Sequence, residues 1–374
     1  MAYAYPEDEM ATNHHDNDSD DNTEPSRMNH VANIGSANCD TEEGMGVIAD
    51  KYGFFGGPYY TDPEISLSKV DSATIRYREV KWIDMFADWE KWMSKRFDKV
   101  KGRCRKGIPS AVRSRAWQYL CGAQVVLENN PGRFEEYLRQ TGDPVNIEAI
   151  KKDVTRQYPQ HEMFTLGGFG REDLLSVLKA YSIHSPAVGY SQAQAPIAGV
   201  LLMNMPAEQA FWCFVAICDK YLPGYYDPTM EGFLLDCDIY EGLLKKTSRN
   251  IYKHIKKHKI EHYSYMMNWF LCVFCRSLPW DCVLRIWDMF LCEGVKVLFR
   301  VSLALMKMAL GGKLKQCTND ESTLAQLEKL QKGLLDPDVI IEESLKLPLT
   351  ERDFEKEHHK RLRKRRRTTA EAAH

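Results

Sequence analysis

The stretch APIAGVLLMNMPAEQAFWCFVAIC, residues 195–218, is the most apolar in the chain, and the fold turns on how it is read. A membrane-spanning helix needs about 20 consecutive, predominantly apolar residues. Here Asn204, Pro206, Glu208 and Gln209 interrupt the run. It therefore reads as two buried helices, over 193–203 and 207–221, parted by Pro206. Upstream, Trp82, Met85, Phe86, Trp89, Trp92, Met93 and Phe97 recur at three-and-four spacing, which lays one apolar stripe along a helix over 75–97. The same periodicity predicts helices over 110–120, 146–156, 172–183, 230–246, 263–276, 280–291, 295–310, 321–331 and 337–345. Pro206, Pro223-Gly224, Pro279 and Gly311-Gly312 punctuate these runs, and no alternating β-branched series or fixed-period repeat occurs. The expected fold is all-α, with a helical core from about 75 to 348.

Composition fits that core. Of 374 residues, 44% are apolar and 27% charged, which is ordinary for a soluble globular chain. A net charge of −2 argues against a general nucleic-acid binder and against a strongly basic membrane protein. Eleven cysteines, mostly inside apolar segments, suggest reduced core thiols in the cytosol rather than a disulfide framework. The N-terminus carries no basic-then-apolar leader, so secretion is not expected.

The average conceals two polar ends. Residues 1–50 hold twelve acids against one base, Arg27, and cannot offset the entropy of ordering their backbone. With the Gly-, Pro- and Tyr-rich transition at 51–70, residues 1–70 are expected as a disordered acidic region. Residues 360–367 carry seven bases in eight positions, within a basic tail over 349–374. Such a run is by default a solvated face. It could also attract acidic lipids, at about 1 kcal/mol per base near a charged leaflet, or direct nuclear import.

Most familiar chemistries are missing. Gly311-Gly312-Lys313-Leu314 lacks the hydroxyl and the preceding strand of a phosphate loop, and Gly167-Gly168-Phe169-Gly170 lacks the strand-turn-helix setting of a dinucleotide site. Cys272 and Cys275 have CxxC spacing but lie in an apolar helical run, and His254, His258 and His262 fall among lysines. Neither a nucleophile elbow nor an HExxH string occurs. No resident metal, nucleotide or other cofactor is expected.

Two short strings remain. Arg156 ends a helix just before Gln157-Tyr158-Pro159, where the pre-proline restriction turns the chain. An arginine there can aim a rigid fork of donors at a partner, although a surface ion pair is the commoner use. Gln192 follows the turn at Gly189 and falls at the first turn of the apolar helix, where a cap or a satisfied core amide is as good a reading.

These strings have company in a fixed order. Arg105-Lys106-Gly107-Ile108-Pro109 is followed by Arg113 and Trp117, by Ile150, Asp153 and Arg156 as I-x-x-D-x-x-R, and by Tyr190 and Gln192 as Y-x-Q. Trp269-Phe270, Leu278-Pro279 and Arg285-Ile286-Trp287-Asp288 complete the set. Over roughly residues 100–310 the chain resembles the TBC-domain GTPase-activating proteins that act on Rab GTPases. The strings at 205–212 and 219–226 are similar to the branch of that family known for ezrin-type scaffolds.

The resemblance implies an activator rather than an enzyme with turnover of its own. A GTP-bound Rab would be the partner and would carry the GTP and Mg²⁺. Arg156 would be an arginine finger and Gln192 a glutamine finger, in the service of vesicle trafficking and endocytic recycling. Asp153 would hold Arg156, and Tyr190 would fix the Gln192 loop. Ile150, Arg113, Trp117, Trp287 and Asp288 would pack and buttress the site. The expected place of action is the cytoplasm, including the surface of the plasma membrane or endosomes. The ending Ala370-Glu371-Ala372-Ala373-His374 lacks the apolar last residue of a PDZ ligand, which counts against PDZ-scaffold binding. The alternative is an effector or scaffold that grips a GTP-loaded Rab without speeding hydrolysis.

Overall fold

A computed structural model describes residues 48–57, 59–61, 70–331 and 335–372. The chain divides into two units, Met1–Met45 and Gly46–His374. The first, and with it the expected disorder of the acidic leader, lies outside the described residues. Among the described residues there are eighteen α-helices and no β-strand, the one antiparallel bridge joining Phe54 to His161.

The expected helix over 75–97 becomes three: α1 (Ser72–Ala87), α2 (Trp89–Lys95) and α3 (Phe97–Arg105). Asp88 and Arg96 leave the helical region, at φ −143° and −135°, so the chain bends; Trp82, Met85 and Phe86 are buried, and Trp89, Trp92 and Met93 are partly buried against the core. Next come α4 (Ser110–Cys121), α5 (Ala123–Glu128), α6 (Arg133–Arg139), α7 (Pro144–Val154), α8 (Gly170–His184), α9 (Gln194–Leu202) and α10 (Ala207–Ala216). α5 and α6 are too short to show a period. The two helices expected from the apolar stretch are α9 and α10. Every residue of α9 is buried, as befits a helix apolar on all sides, and α7, α8 and α10 pack against it. Each large apolar side chain taken from water there contributes about 1.5–3 kcal/mol.

The second half runs through α11 (Glu231–Thr247), α12 (Arg249–Lys257), α13 (Tyr263–Met266), α14 (Trp280–Glu293), α15 (Lys296–Leu310), α16 (Asp320–Gln331), α17 (Pro337–Leu345) and α18 (Glu351–Ala372). The helix expected to reach residue 221 ends instead in a single π turn, Ile217–Tyr221. The helix expected over 263–276 is interrupted likewise by a π turn at Met267–Leu271, and then by Val273 and Phe274 at φ 46° and 61°. Tertiary bonding accounts for the second break. The Val273 carbonyl turns to accept the Trp287 indole N–H at 3.0 Å, while Phe274 N–H reaches back to the Trp269 carbonyl at 2.9 Å.

Both expected domain limits move outward. The basic run is no free tail: α18 packs on α11, buries Phe354 and His358, and pairs Arg361 with Glu241 (3.2 Å) and Arg365 with Asp238 (2.9 Å). The transition at 51–70 is partly built into the domain, because the Asp50 carboxylate accepts from the N–H groups of Tyr52, Phe54 and Thr61 at 2.7–2.9 Å. That closes a loop which buries Phe54 completely. Ten cysteines are described, all free; all but the half-buried Cys292 are buried, and Cys272 and Cys275 sit in the core.

Candidate functional site

The site is assembled from the C-terminus of α7 and the N-terminus of α9. Asp143 opens α7 by accepting from Val145 N–H at 3.0 Å, with Pro144 already preset for the first helical position. The helix ends at Val154 and Thr155 caps it, which leaves Arg156 just beyond the last turn. Ile150 is fully buried on the inner face and anchors the helix.

Asp153 lies one turn before Arg156 and is almost wholly buried. Its Oδ1 accepts from Arg156 Nε at 2.8 Å and from the same guanidinium's Nη2 at 2.5 Å. Its Oδ2 accepts from the Tyr190 hydroxyl at 2.6 Å. The Arg156 side chain remains 50% exposed against 11% for Asp153, so the fork is held at its root and open at its tip. Burial and the adjacent Asp153 carboxylate push the Tyr190 hydroxyl well above the usual phenol range, so it stays a donor at neutral pH.

Tyr190 belongs to the turn that carries Gln192. Gly189 sits at φ 64°, and a Cβ there would come within 3.0 Å of the Asn146 amide on α7, so glycine allows the turn to lie against that helix. Gln192 is exposed and stands two residues before α9 rather than in its first turn. The capping amide is its neighbour Gln194, fully buried, whose Oε1 accepts from Ser191 N–H at 2.9 Å. Local pattern could not separate these two glutamines: the Y-x-Q string with Tyr190 singled out Gln192, and burial now sets Gln194 apart as the one turned inward.

The remaining expected residues form a second cluster between α4 and α14. The wholly buried Asp288 carboxylate accepts from Ile108 N–H (2.7 Å), Arg113 Nε (3.2 Å) and Trp117 Nε1 (2.8 Å). Arg113 returns a bond to the Ile108 carbonyl at 2.6 Å, and the Trp117 and Trp287 rings pack at 5.4 Å. Burial raises the Asp288 carboxyl pKa, opposed first by the Arg113 charge. These residues join each other, and none of their hydrogen bonds reaches Asp153, Arg156 or Gln192.

Sequence reasoning passed over Tyr158. Two residues after Arg156, it occupies φ 40°, donates to the Pro196 carbonyl of α9 at 3.0 Å, and lies against Gly199, where a Cβ would sit 2.6 Å from its ring. The glycine inside an otherwise bulky helix was the available signal.

Comparison with known proteins adds to this geometry. The family model described as the Rab-GTPase-TBC domain matches residues 110–310. Human TBC1 domain family member 10B is 51% identical over 325 residues, covering 86% of this chain and 40% of its own length, so the chain spans less than half of that relative. Mouse Carabin is 47% identical over 312 residues, covering 83% of this chain and 70% of its own. Among solved structures, the Chlamydomonas flagellar RabGAP TBC domain superposes with a TM-score of 0.62 at 26% identity, covering 79% of this chain and 99% of that one. The chain belongs to the Rab-GTPase-TBC domain family, in the branch that holds TBC1 domain family members 10A and 10B and Carabin, the one to which its strings at 205–212 and 219–226 pointed.

Proposed function

We propose that this chain is an activator that accelerates GTP hydrolysis on a Rab-type small GTPase by lending it Arg156 and Gln192. A small GTPase hydrolyses slowly because charge builds on the phosphoryl oxygens and the attacking water is poorly held; a donated arginine stabilises that charge and a glutamine orients the water. The observation that carries this is the Asp153 carboxylate, whose two oxygens hold the half-exposed Arg156 and the tyrosine of the Gln192 turn. One buried anion thus ties together the supports of both donated groups. Arg156 Nη1 is not engaged by Asp153 and is available to donate to a partner. On docking, the γ-phosphate oxygens would compete with Asp153 for the guanidinium. GTP and Mg²⁺ arrive with the partner, so this chain needs only two polar side chains at the surface.

The test is single-turnover hydrolysis on a panel of GTP-loaded Rabs. Acceleration of at least one Rab by catalytic amounts of the chain is expected. Tight binding to a GTP-loaded Rab with hydrolysis unchanged would establish the effector alternative instead.

The same chain is further read as touching an acidic membrane through α18. Arg361 and Arg365 are committed to α11, whereas Arg363, Arg366 and Arg367 are exposed. Acidic headgroups would find those guanidinium groups already arrayed on a docked helix.

A further inference from the structure

We propose that residues 50–57 are a positioning brace for the finger site, a role that rests on the function proposed above. The segment pairs with the loop that leaves Arg156. Phe55 N–H donates to the Gln160 carbonyl and Glu162 N–H to the Gly53 carbonyl, both at 2.8 Å. His161 Nε2 meets the Tyr52 carbonyl at 2.8 Å, and the Tyr52 hydroxyl donates to Asp281 at the start of α14. Burial lowers the His161 pKa, which favours the neutral ring that fits this position.

The side chains lock the same loop. Phe54, with no exposed surface, packs edge-on against Trp280 (5.1 Å), His161 (4.8 Å) and Tyr158 (6.5 Å). Tyr59, just beyond, closes the cluster on Tyr158 at 5.7 Å. Tyr158 is where the brace meets the chemistry. Its left-handed backbone is rare for any residue but glycine, and a bulky side chain stays there only when its surroundings over-determine it. Its hydroxyl fixes it to Pro196 in the first turn of α9, just after Gln192, and its backbone is two residues from Arg156. The brace therefore supplies one of the rings that keep Tyr158 in a strained conformation, with Tyr59 adding a second, and Tyr158 couples the arginine loop to the glutamine helix. Phe54 and Asp50 are positioning residues: neither touches the partner's reacting atoms, and both act through Tyr158.

The test compares the full chain with its Phe54→Ala, Asp50→Ala and Phe54→Leu variants. Stimulated single-turnover hydrolysis is measured on the Rab that the wild type activates most, with thermal midpoints and amide hydrogen exchange alongside. Phe54→Ala and Asp50→Ala should lower kcat by about tenfold or more with KM within about twofold, since a small misplacement of a catalytic group acts on the chemical step. Phe54→Leu should recover most of the loss. Exchange at 157–164 should quicken in the alanine variants while α14 and α15 keep wild-type protection. Wild-type kcat in Phe54→Ala, or unchanged exchange at 157–164, overturns the brace. A loss of rate matched by loss of protection throughout the domain also overturns it, as general unfolding. If the wild type stimulates no Rab, the functional proposal fails by itself, and exchange still decides whether the segment holds the loop.

Discussion

Tyr190 donates a 2.6 Å hydrogen bond to Asp153 across 37 residues of chain, and it does so to the oxygen that Arg156 leaves vacant. Tyr190→Phe removes only this donor. A neutral-to-charged hydrogen bond of this kind contributes about 1.5–3 kcal/mol, so a modest fall in stability is expected with a larger fall in stimulated hydrolysis. Asp153→Ala should be more severe, because it frees both groups at once. Single-turnover rates and denaturant midpoints measured together check this, and equal rates for Tyr190→Phe and wild type would show that the bond does not serve the site.

Arg156→Ala and Gln192→Ala should each abolish stimulation; the thermal midpoint should stay close to wild type for the exposed Gln192 and fall for Arg156→Ala, which takes the counter-charge from the buried Asp153. An arginine finger is worth about 10³–10⁵ in rate, roughly 4–7 kcal/mol of transition-state stabilisation. Arg156→Lys should also fail, because an ammonium lacks the planar fork. Near wild-type stimulation by Arg156→Ala would remove the arginine from the mechanism.

Asp288→Ala is expected to act on stability. It strands the N–H of Ile108, the Arg113 guanidinium and the Trp117 indole in a dry interior. Breaking a buried charged pair by removing one partner costs about 3–5 kcal/mol. Urea unfolding should show a lower midpoint at unchanged slope. A variant as stable as wild type would mean that water or a neighbour satisfies the stranded donors.

A pH dependence follows from Asp236 on α11. It is buried, accepts from the Tyr225 hydroxyl, and burial pushes its carboxyl up to about 7. An unfolded aspartate titrates near 3.9. Between these values the folded chain keeps a proton that the unfolded chain has released, so stability declines as pH rises from about 4 to about 7. Asp236→Asn cannot ionise. Its stability relative to wild type should therefore grow, by on the order of a few kcal/mol, between pH 5 and pH 8. Thermal midpoints at both pH values measure it, and a constant gap between the two proteins would count against the buried proton.

The exposed face of α18 predicts salt-sensitive binding to vesicles of mixed neutral and anionic phospholipid. Arg363→Glu, Arg366→Glu and Arg367→Glu combined should abolish sedimentation with such vesicles and leave hydrolysis in solution unchanged. Binding that survives the triple variant would place the contact elsewhere.

Periodicity was enough for the helices that bury a long stripe, because that pattern is local. It gave α4, α7 to α9, α11 and α14 to α17 to within a few residues. Where a tertiary bond competes with the helical one, as at Val273, the local pattern misled. α18 went unseen as part of the domain because its partners on α11, Glu241 and Asp238 among them, lie more than a hundred residues away.

The all-α class, the buried pair α9 and α10, and the family marked by the strings around Arg156 and Gln192 were legible in the order of residues alone. Those depend on spacing and residue type, which survive in one dimension. The folded molecule was needed to show that Gln192 is exposed and Gln194 buried, that Asp153 is shared by Arg156 and Tyr190, and that Phe54 is pressed against Tyr158. Each of these is a contact between distant segments, fixed by where packed helices bring their ends, and no local pattern encodes it.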